Sequence, residues 1–595
     1  MALFELSAGA ALRVLRAVGV IAIAIFARGF FILYQRRMQF RRLVAKHGLD
    51  VLPHSFIFGH LISVGMAMAK HPADLNGQVS PLVLARDHPE LAKDGVLYID
   101  LWPISYQMLA VFHPDMMAQF CQENSQLKHE QVRWEFYPLT KNKDLVTTDG
   151  AQWKRWRSVF NPGFSTQNIM SLVPSFVEEV LVFKRYLEGI ATTGEVVALE
   201  TQGMKATCDI IGRAVLGKSL GIQTTPDNPL FKALKANIAW LIPEWAPRQW
   251  GKMINPLRRL SIWRNNAIMR RELRSLIEEQ YKNSGHIEGP KTIVNLAIRT
   301  YVKENGQTSM GDVIDPEFVD ATIEHIKMFL FAGHDTTAST LSFAYYSLHE
   351  NPEIMAKVRA EHDAVFGADP SQAADMISKT PALLNQLPLT LAVVRETLRM
   401  YPPVGSVRAG SPDYFLTNPE TGRQYPTDNL MMFSCSYAMQ RDATYWANPD
   451  TFNPERWLTK DGEPAQLRKN TWRPFELGPR SCIGQELAMT ELKLILALTL
   501  RELDIVPMYA PTGERFFGAL MYQAHVSGEL TAHPKGEAVM KLNSLDDNSM
   551  VACIHAQVTN GKTMSVPAVS YVAVGIAGVS LIAMGMSAVG GAMSK

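Results

Sequence analysis

Cysteine is scarce in this chain. There are five in 595 residues (Cys121, Cys208, Cys435, Cys482 and Cys553), odd in number, scattered and never in C-x-x-C spacing. That pattern argues against a disulfide framework, a zinc site or an iron–sulfur cluster, and points to a reducing compartment. An excess of one charge is also missing: 59 Lys and Arg face 57 Asp and Glu, for a net charge of +2. No nucleic-acid partner is expected from such a balance. No G-x-G-x-x-G fingerprint occurs, so no dinucleotide site is expected, and no N-x-S/T sequon occurs, in keeping with a cytosolic catalytic region. Residues from about 50 to 535 contain neither an internal repeat nor a long linker and read as one mainly helical unit.

Long apolar runs are confined to the two ends. Residues 17–34, AVGVIAIAIFARGFFILY, approach spanning length but contain Arg28. A charge held mid-bilayer costs roughly 2.5–3.5 kcal/mol, which snorkelling reduces. Arg36, Arg37, Arg41, Arg42 and Lys46 follow the run and outnumber Arg13 and Arg16 before it. The positive-inside rule then places the next domain in the cytoplasm. A cleaved signal peptide and an interfacial helix are the competing readings. Residues 566–593 carry no charge, are long enough to span and are rich in Gly, Ala and Ser. The expected organisation is an anchor with its basic flank (1–48), a catalytic domain (49–535), a polar linker (536–565) and a second candidate span (566–595).

Within the domain, RPFELGPRSCIGQELAMTELK (473–493) places Cys482 between a turn-rich run and an apolar run of helical period. A thiol near a helix N-terminus is biased toward thiolate, the metal-binding form, and Arg480 adds positive charge. Gly478 and Gly484 let backbone approach a flat ligand. A lone cysteine is more often an inert buried residue, so the local chemistry leaves both readings open. Phe475, Gly478, Arg480, Cys482 and Gly484 together, however, match F-x-x-G-x-R-x-C-x-G at every defined position. This resembles the haem-binding loop of cytochrome P-450, the haem-thiolate monooxygenases.

Other motifs follow in that family's order. Trp153 and Arg157 stand four apart on an expected helix and share a face; the resemblance sets them, with Arg408, against haem propionates. A long helix is expected from about Pro316 to His349, capped by Asp315, with a weak stretch at FAGHDTTAS. Here Ala332, Gly333, Asp335, Thr336 and Thr337 resemble the oxygen-side motif. The implied roles are a dioxygen groove at Gly333, a hydrogen bond from Thr336 and a proton relay at Asp335; His334 is given none. A helix ending before Pro402 carries Glu396 and Arg399, which by spacing alone read as a surface ion pair. In the family this pair is buried and joined by the arginine of a P-E-R segment, here Arg456, as a structural brace. Gln440, Arg441 and Asp442 stand where His-Arg-Asp is usual.

The resemblance implies a mainly α fold with a small β region, the cytochrome P-450 fold, and one haem b ligated by Cys482. The thiolate would push electron density onto iron and favour O–O cleavage. Electrons would come from a separate membrane-bound NADPH-dependent flavoprotein reductase, or cytochrome b5, with O2 as co-substrate and the endoplasmic reticulum as the location. Lys141, Lys143, Lys154 and Arg155 read either as a solvated face or as a docking patch for an acidic donor. The substrate would be a lipophilic small molecule to be hydroxylated, epoxidised or desaturated. Candidate pocket segments are 125–148, the helix around Phe329 and Ala332, Val404–Val407 and Gly518–Tyr522. The wording of the cysteine loop resembles fungal microsomal members of secondary metabolism, so a polyketide or terpenoid intermediate is expected, with fatty-acid or xenobiotic oxidation as the alternative. A haem-thiolate isomerase or dehydratase, or a non-catalytic membrane scaffold, are the readings from other classes.

Overall fold

The fold is built around one helix, Pro316–His349, of 34 residues. Asp315 accepts a hydrogen bond from the Glu317 N–H at 2.9 Å, and Pro316 sits where its missing N–H would lack a helical partner. From Thr322 to Leu348 every position is buried except Ala332, Gly333 and Thr336. The helix runs unbroken through its Gly- and Thr-containing stretch because burial on nearly all sides outweighs local propensity. The computed structural model describes residues 8–241, 250–283, 292–304, 315–524 and 531–545. The second candidate span and Cys553 lie outside the described residues.

Helix Leu199–Leu216 packs along the central one. A Cβ on Gly203 would lie 3.4 Å from that of Ala338, and one on Gly333 would collide with the Ile211 side chain. Thr207 Oγ1 donates to the His334 carbonyl at 3.0 Å and fixes the register of the two helices. A side chain at Gly333 would thus require the end of the Ile211 side chain to move, a contact that spacing alone does not reveal.

Strands collect in a small region beside the helices. A four-stranded mixed sheet runs Val96–Asp100, Gln107–Val111, Met431–Ser434 and Ser406–Ala409, with the middle pair parallel. Its last strand carries Arg408 opposite Met432. A second sheet joins Val196–Ala198, Val539–Ser544 and Leu503–Pro507. The Val539–Ser544 strand buries Met540 and Leu542 at alternate positions, and the Leu545 N–H donates to the Glu502 carbonyl at 3.0 Å. Regular structure packed on the helices therefore reaches Ser544, inside the run read as a polar linker. The signal was a short alternating strand inside a polar-looking run.

The N-terminal helix covers Ala8–His47, longer than the apolar run itself. Residues Arg13–His47 are long and apolar enough to cross a membrane, with a mean hydropathy of 2.2 in the best window and none of that window buried. Arg37 is not a free charge of the basic flank. It is fully buried, pairs with Asp100 at 2.5 Å and donates to the Trp102 carbonyl at 2.6 Å, fastening the helix end to the first strand.

Candidate active site

Gly484 is the N-cap residue of helix Gln485–Thr499, so Cys482 lies two residues before the cap rather than in the helix. The loop closes on itself: the Cys482 N–H donates to Phe475 O at 2.9 Å and the Ser481 N–H to Gly478 O at 3.0 Å. Gly478 has φ +93°, and a Cβ there would lie 2.6 Å from the Cys121 carbonyl oxygen and 2.7 Å from Gln122 Cα. Only glycine meets both demands. Gly484 is under no such pressure, its nearest neighbour being Cys482 Sγ at 3.9 Å. Cys121, Cys208 and Cys435 are buried, whereas Cys482 is exposed. Crowding by protein nonetheless pushes the Cys482 thiol pKa up; the Gly484 N–H and the Arg157 charge pull the other way and do not win. Desolvation thus opposes the thiolate bias expected from the helix N-terminus in the haem-free chain. A bound metal deprotonates a coordinating thiol outright.

Cations gather around this loop. Arg157, on helix Gly150–Phe160, donates from Nη1 to the Ser481 carbonyl at 2.8 Å and from Nε to Asn161 Oδ1 at 2.8 Å. Trp153, one turn earlier, lies under the Arg480 guanidinium, with Cζ 4.2 Å from the ring centroid. Arg480 pairs with Asp149, the residue before that helix. Desolvation, with Arg408, Arg157 and Arg133 opposing Asp149, holds Arg480 down at about 10. Lys128 is lowered further, to about 7, by desolvation and then by Arg408 and Arg480. Arg408 is buried; its Nη1 donates to Ser406 Oγ at 2.6 Å and Val407 O at 2.9 Å, while its Nε and Nη2 have no hydrogen-bond partner among the described residues.

On the central helix, Ala332, Gly333 and Thr336 form the one break in a buried surface, at i, i+1 and i+4. Thr336 Oγ1 donates back to the Ala332 carbonyl at 2.8 Å, and Asp335 points instead to Thr531 and His533. His334 is a core histidine, with Nδ1 2.6 Å from the Leu330 carbonyl.

The E-x-x-R pair is buried and not at the surface. Glu396 and Arg399 meet at 2.8 Å with no exposure, and Arg456 Nε joins Glu396 at 3.0 Å. Trp457 Nε1 and the Asn453 N–H also donate to Glu396, at 3.0 and 2.9 Å.

A family model for cytochrome P450 (written P-450 throughout) matches residues 90–515. The chain belongs to the cytochrome P-450 family. It is 34% identical over 86% of its length to cytochrome P-450 monooxygenase polC of Polytolypa hystricis, covering 91% of that protein. It is 33% identical to cytochrome P-450 monooxygenase acrF of Aspergillus aculeatus, over 79% of this chain and 98% of that one. The crystal structure of the cytochrome P-450DA heme domain superposes with a TM-score of 0.63 at 20% identity, over 83% of this chain and 96% of that one. The chain is thus a haem-thiolate monooxygenase, an oxidoreductase of mainly helical fold.

A cytochrome P-450 carries a haem, whose two propionates are carboxylates, and the cation cluster fits that group. Lys128 and Arg480 lie beside the Asp149 carboxylate, which also pairs with Arg133 at 2.8 Å, and the two Arg408 nitrogens Nε and Nη2 are buried with no hydrogen-bond partner among the described residues. Buried donors without acceptors are costly, so an anionic partner is what the geometry calls for. Lys128 was missed by motif reading because it stands in an irregular segment outside any signature; its signal is positional and appears only in three dimensions. The cytochrome P-450 departure at Gln440 is also explained. Its carbonyl accepts from Arg399 Nη1 at 2.7 Å, its side chain donates to Leu398 O and Arg399 O at 3.1 and 2.9 Å, and its Oε1 accepts from the Arg473 N–H at 2.8 Å. The amide thereby joins the brace to the strand of chain leading into the cysteine loop.

Proposed function

We propose that this cytochrome P-450 uses O2, with electrons from a separate NADPH-dependent reductase, to hydroxylate, epoxidise or desaturate a lipophilic polyketide or terpenoid intermediate at the endoplasmic reticulum. The observation that carries the reading is the cation cluster over the Cys482 loop, with the Nε and Nη2 nitrogens of buried Arg408 lacking a hydrogen-bond partner among the described residues. Haem supplies the oxygen chemistry, with the thiolate ligand favouring O–O cleavage.

Cys482 is the proposed iron ligand. Trp153, Arg157, Lys128, Arg408 and Arg480 hold the propionates, and Phe475, Gly478 and Gly484 shape the loop. Ala332 and Gly333 line the oxygen side, Thr336 presents a hydroxyl there, and Asp335 moves protons. Glu396, Arg399 and Arg456 keep the loop in register. Exposed Lys141, Lys143, Lys154 and Arg155 provide a cationic face for an acidic donor protein. The apolar N-terminal helix supports membrane attachment, and similarity to fungal monooxygenases supports the reaction class.

Product analysis by mass spectrometry tests this, with the full chain and a reductase expressed beside polyketide and terpenoid intermediates. A product heavier by one oxygen, or lighter by two hydrogens, appearing only with NADPH is expected. Turnover of a hydroperoxide without NADPH or O2 would overturn it in favour of an isomerase or dehydratase.

A further inference from the structure

Three titratable groups are buried together where the central helix meets the C-terminal strands, and the site already described uses one of them. Asp335 is 2% exposed, His533 0% and Glu200 1%. They come from three elements: the central helix, the strand His533–Pro534 and the first turn of helix Leu199–Leu216. Thr531 Oγ1 donates to Asp335 Oδ2 and lies 2.9 Å from His533 Nε2. His533 Nε2 is itself 3.5 Å from Asp335 Oδ1, and its Nδ1 is 2.8 Å from Glu200 Oε1. The segment is held in place from both sides, with the Ala532 carbonyl accepting from Ser339 Oγ at 3.0 Å and its N–H donating to Pro403 O at 2.9 Å.

An imidazole bridged between two acids is suited to carrying protons, since one nitrogen takes up a proton as the other releases one. A merely structural tie needs no titratable chain: burying two carboxylates and a histidine is expensive, and amides or hydroxyls would hold the same elements. The outer end lies beside the surface. Thr201, the residue after Glu200, is half-buried, and its hydroxyl donates at 2.9 Å to the exposed Glu537 carboxylate.

We infer that Glu200, His533 and Thr531 form a proton relay that recharges Asp335, acting as positioning and transfer residues behind the oxygen-side motif. The inference rests on the monooxygenase reading. In one passage the His533 Nε2–H bond breaks as its proton moves to Thr531 Oγ1, while the Thr531 hydroxyl proton moves to Asp335 Oδ2. Glu200 returns a proton to His533 Nδ1 and is itself reprotonated from solvent; a flip of the imidazole ring and a rotation of the Thr531 hydroxyl then restore the starting tautomer for the next passage. One proton is carried inward and no group changes oxidation state. Monooxygenation sends one atom of O2 into substrate and the other into water, consuming two protons with the two NADPH electrons, so two passages serve one turnover.

The test uses the haem-loaded full chain with an NADPH-dependent reductase and no added substrate, measuring hydrogen peroxide released per NADPH and the solvent deuterium isotope effect. His533→Gln and Glu200→Gln keep hydrogen-bonding side chains but cannot shuttle protons. Both are expected to raise peroxide per NADPH severalfold and to change the isotope effect, with unchanged thermal midpoint and unchanged reduced carbon monoxide spectrum. Infrared difference spectra between two pH values should show a carboxyl band that Glu200→Gln removes and His533→Gln shifts. Wild-type peroxide partition and isotope effect in both Gln variants overturn the relay, as does a band indifferent to His533→Gln. If one variant fails to fold, the other and Thr531→Val decide by the same readouts. A wild-type chain without the thiolate spectrum overturns the monooxygenase reading instead.

Discussion

Arg157 Nη1 and the Ser481 carbonyl oxygen are 2.8 Å apart, which ties helix Gly150–Phe160 to the residue before Cys482. The same guanidinium belongs to the cluster proposed to hold the propionates, so one side chain links the loop to the cofactor's edge. Arg157→Ala is expected to weaken haem retention by roughly one to two orders of magnitude, the size of one charge-assisted hydrogen bond of about 1.5–3 kcal/mol. Arg157→Lys should recover only part of it, lacking the planar fork. Haem transfer to an acceptor protein measures both.

Glu396 accepts from Arg399, Arg456, Trp457 and Asn453 while fully buried. Glu396→Ala leaves the Arg399 guanidinium buried without its counter-charge, which costs about 3–5 kcal/mol. The expected outcome, read by thermal unfolding, is a chain that melts earlier and loses its haem in the same transition.

Lys128 makes haem binding pH-dependent. Its pKa is lowered from 10.5 to about 7 by desolvation and by Arg408 and Arg480. Between those values the unfolded chain binds more protons than the folded haem-free one, so Lys128 makes haem-free stability rise with pH across that window. Propionates favour the ammonium, so haem binding takes up a proton there. Haem affinity should therefore fall as pH rises from about 7 toward 10.5, and Lys128→Met should flatten that slope in haem titrations of haem-free protein.

Gly478 combines φ +93° with backbone atoms 2.6 and 2.7 Å from where a Cβ would sit. Neither neighbour is a flexible side-chain end, so the loop must move. Gly478→Ala is expected to cost at least about 1–3 kcal/mol and to abolish correct haem ligation, which absorption spectroscopy follows.

The central helix was legible to its end residues because Asp315-Pro316 at one end and Asn351-Pro352 at the other are strong punctuation. The cysteine loop was legible because its glycines and arginine sit at fixed offsets. What escaped was long-range. Lys128 joins the cluster through Arg408 and Arg480, hundreds of residues later, and Arg37 meets Asp100 across a chain turn. His533 reaches Glu200 over more than half the chain. No local spacing encodes such pairs; they exist only once the helices and strands are packed. The raised Cys482 pKa escaped for the same reason, since desolvation is a property of the assembled surroundings.

The central claim is that Cys482 ligates the haem iron. The most direct measurement is the absorption spectrum of the reduced carbon monoxide complex of the wild-type chain and of Cys482→Ala, purified side by side. The expected result is the thiolate-haem signature in the wild type and its complete loss in Cys482→Ala; the same signature persisting in Cys482→Ala would contradict the assignment.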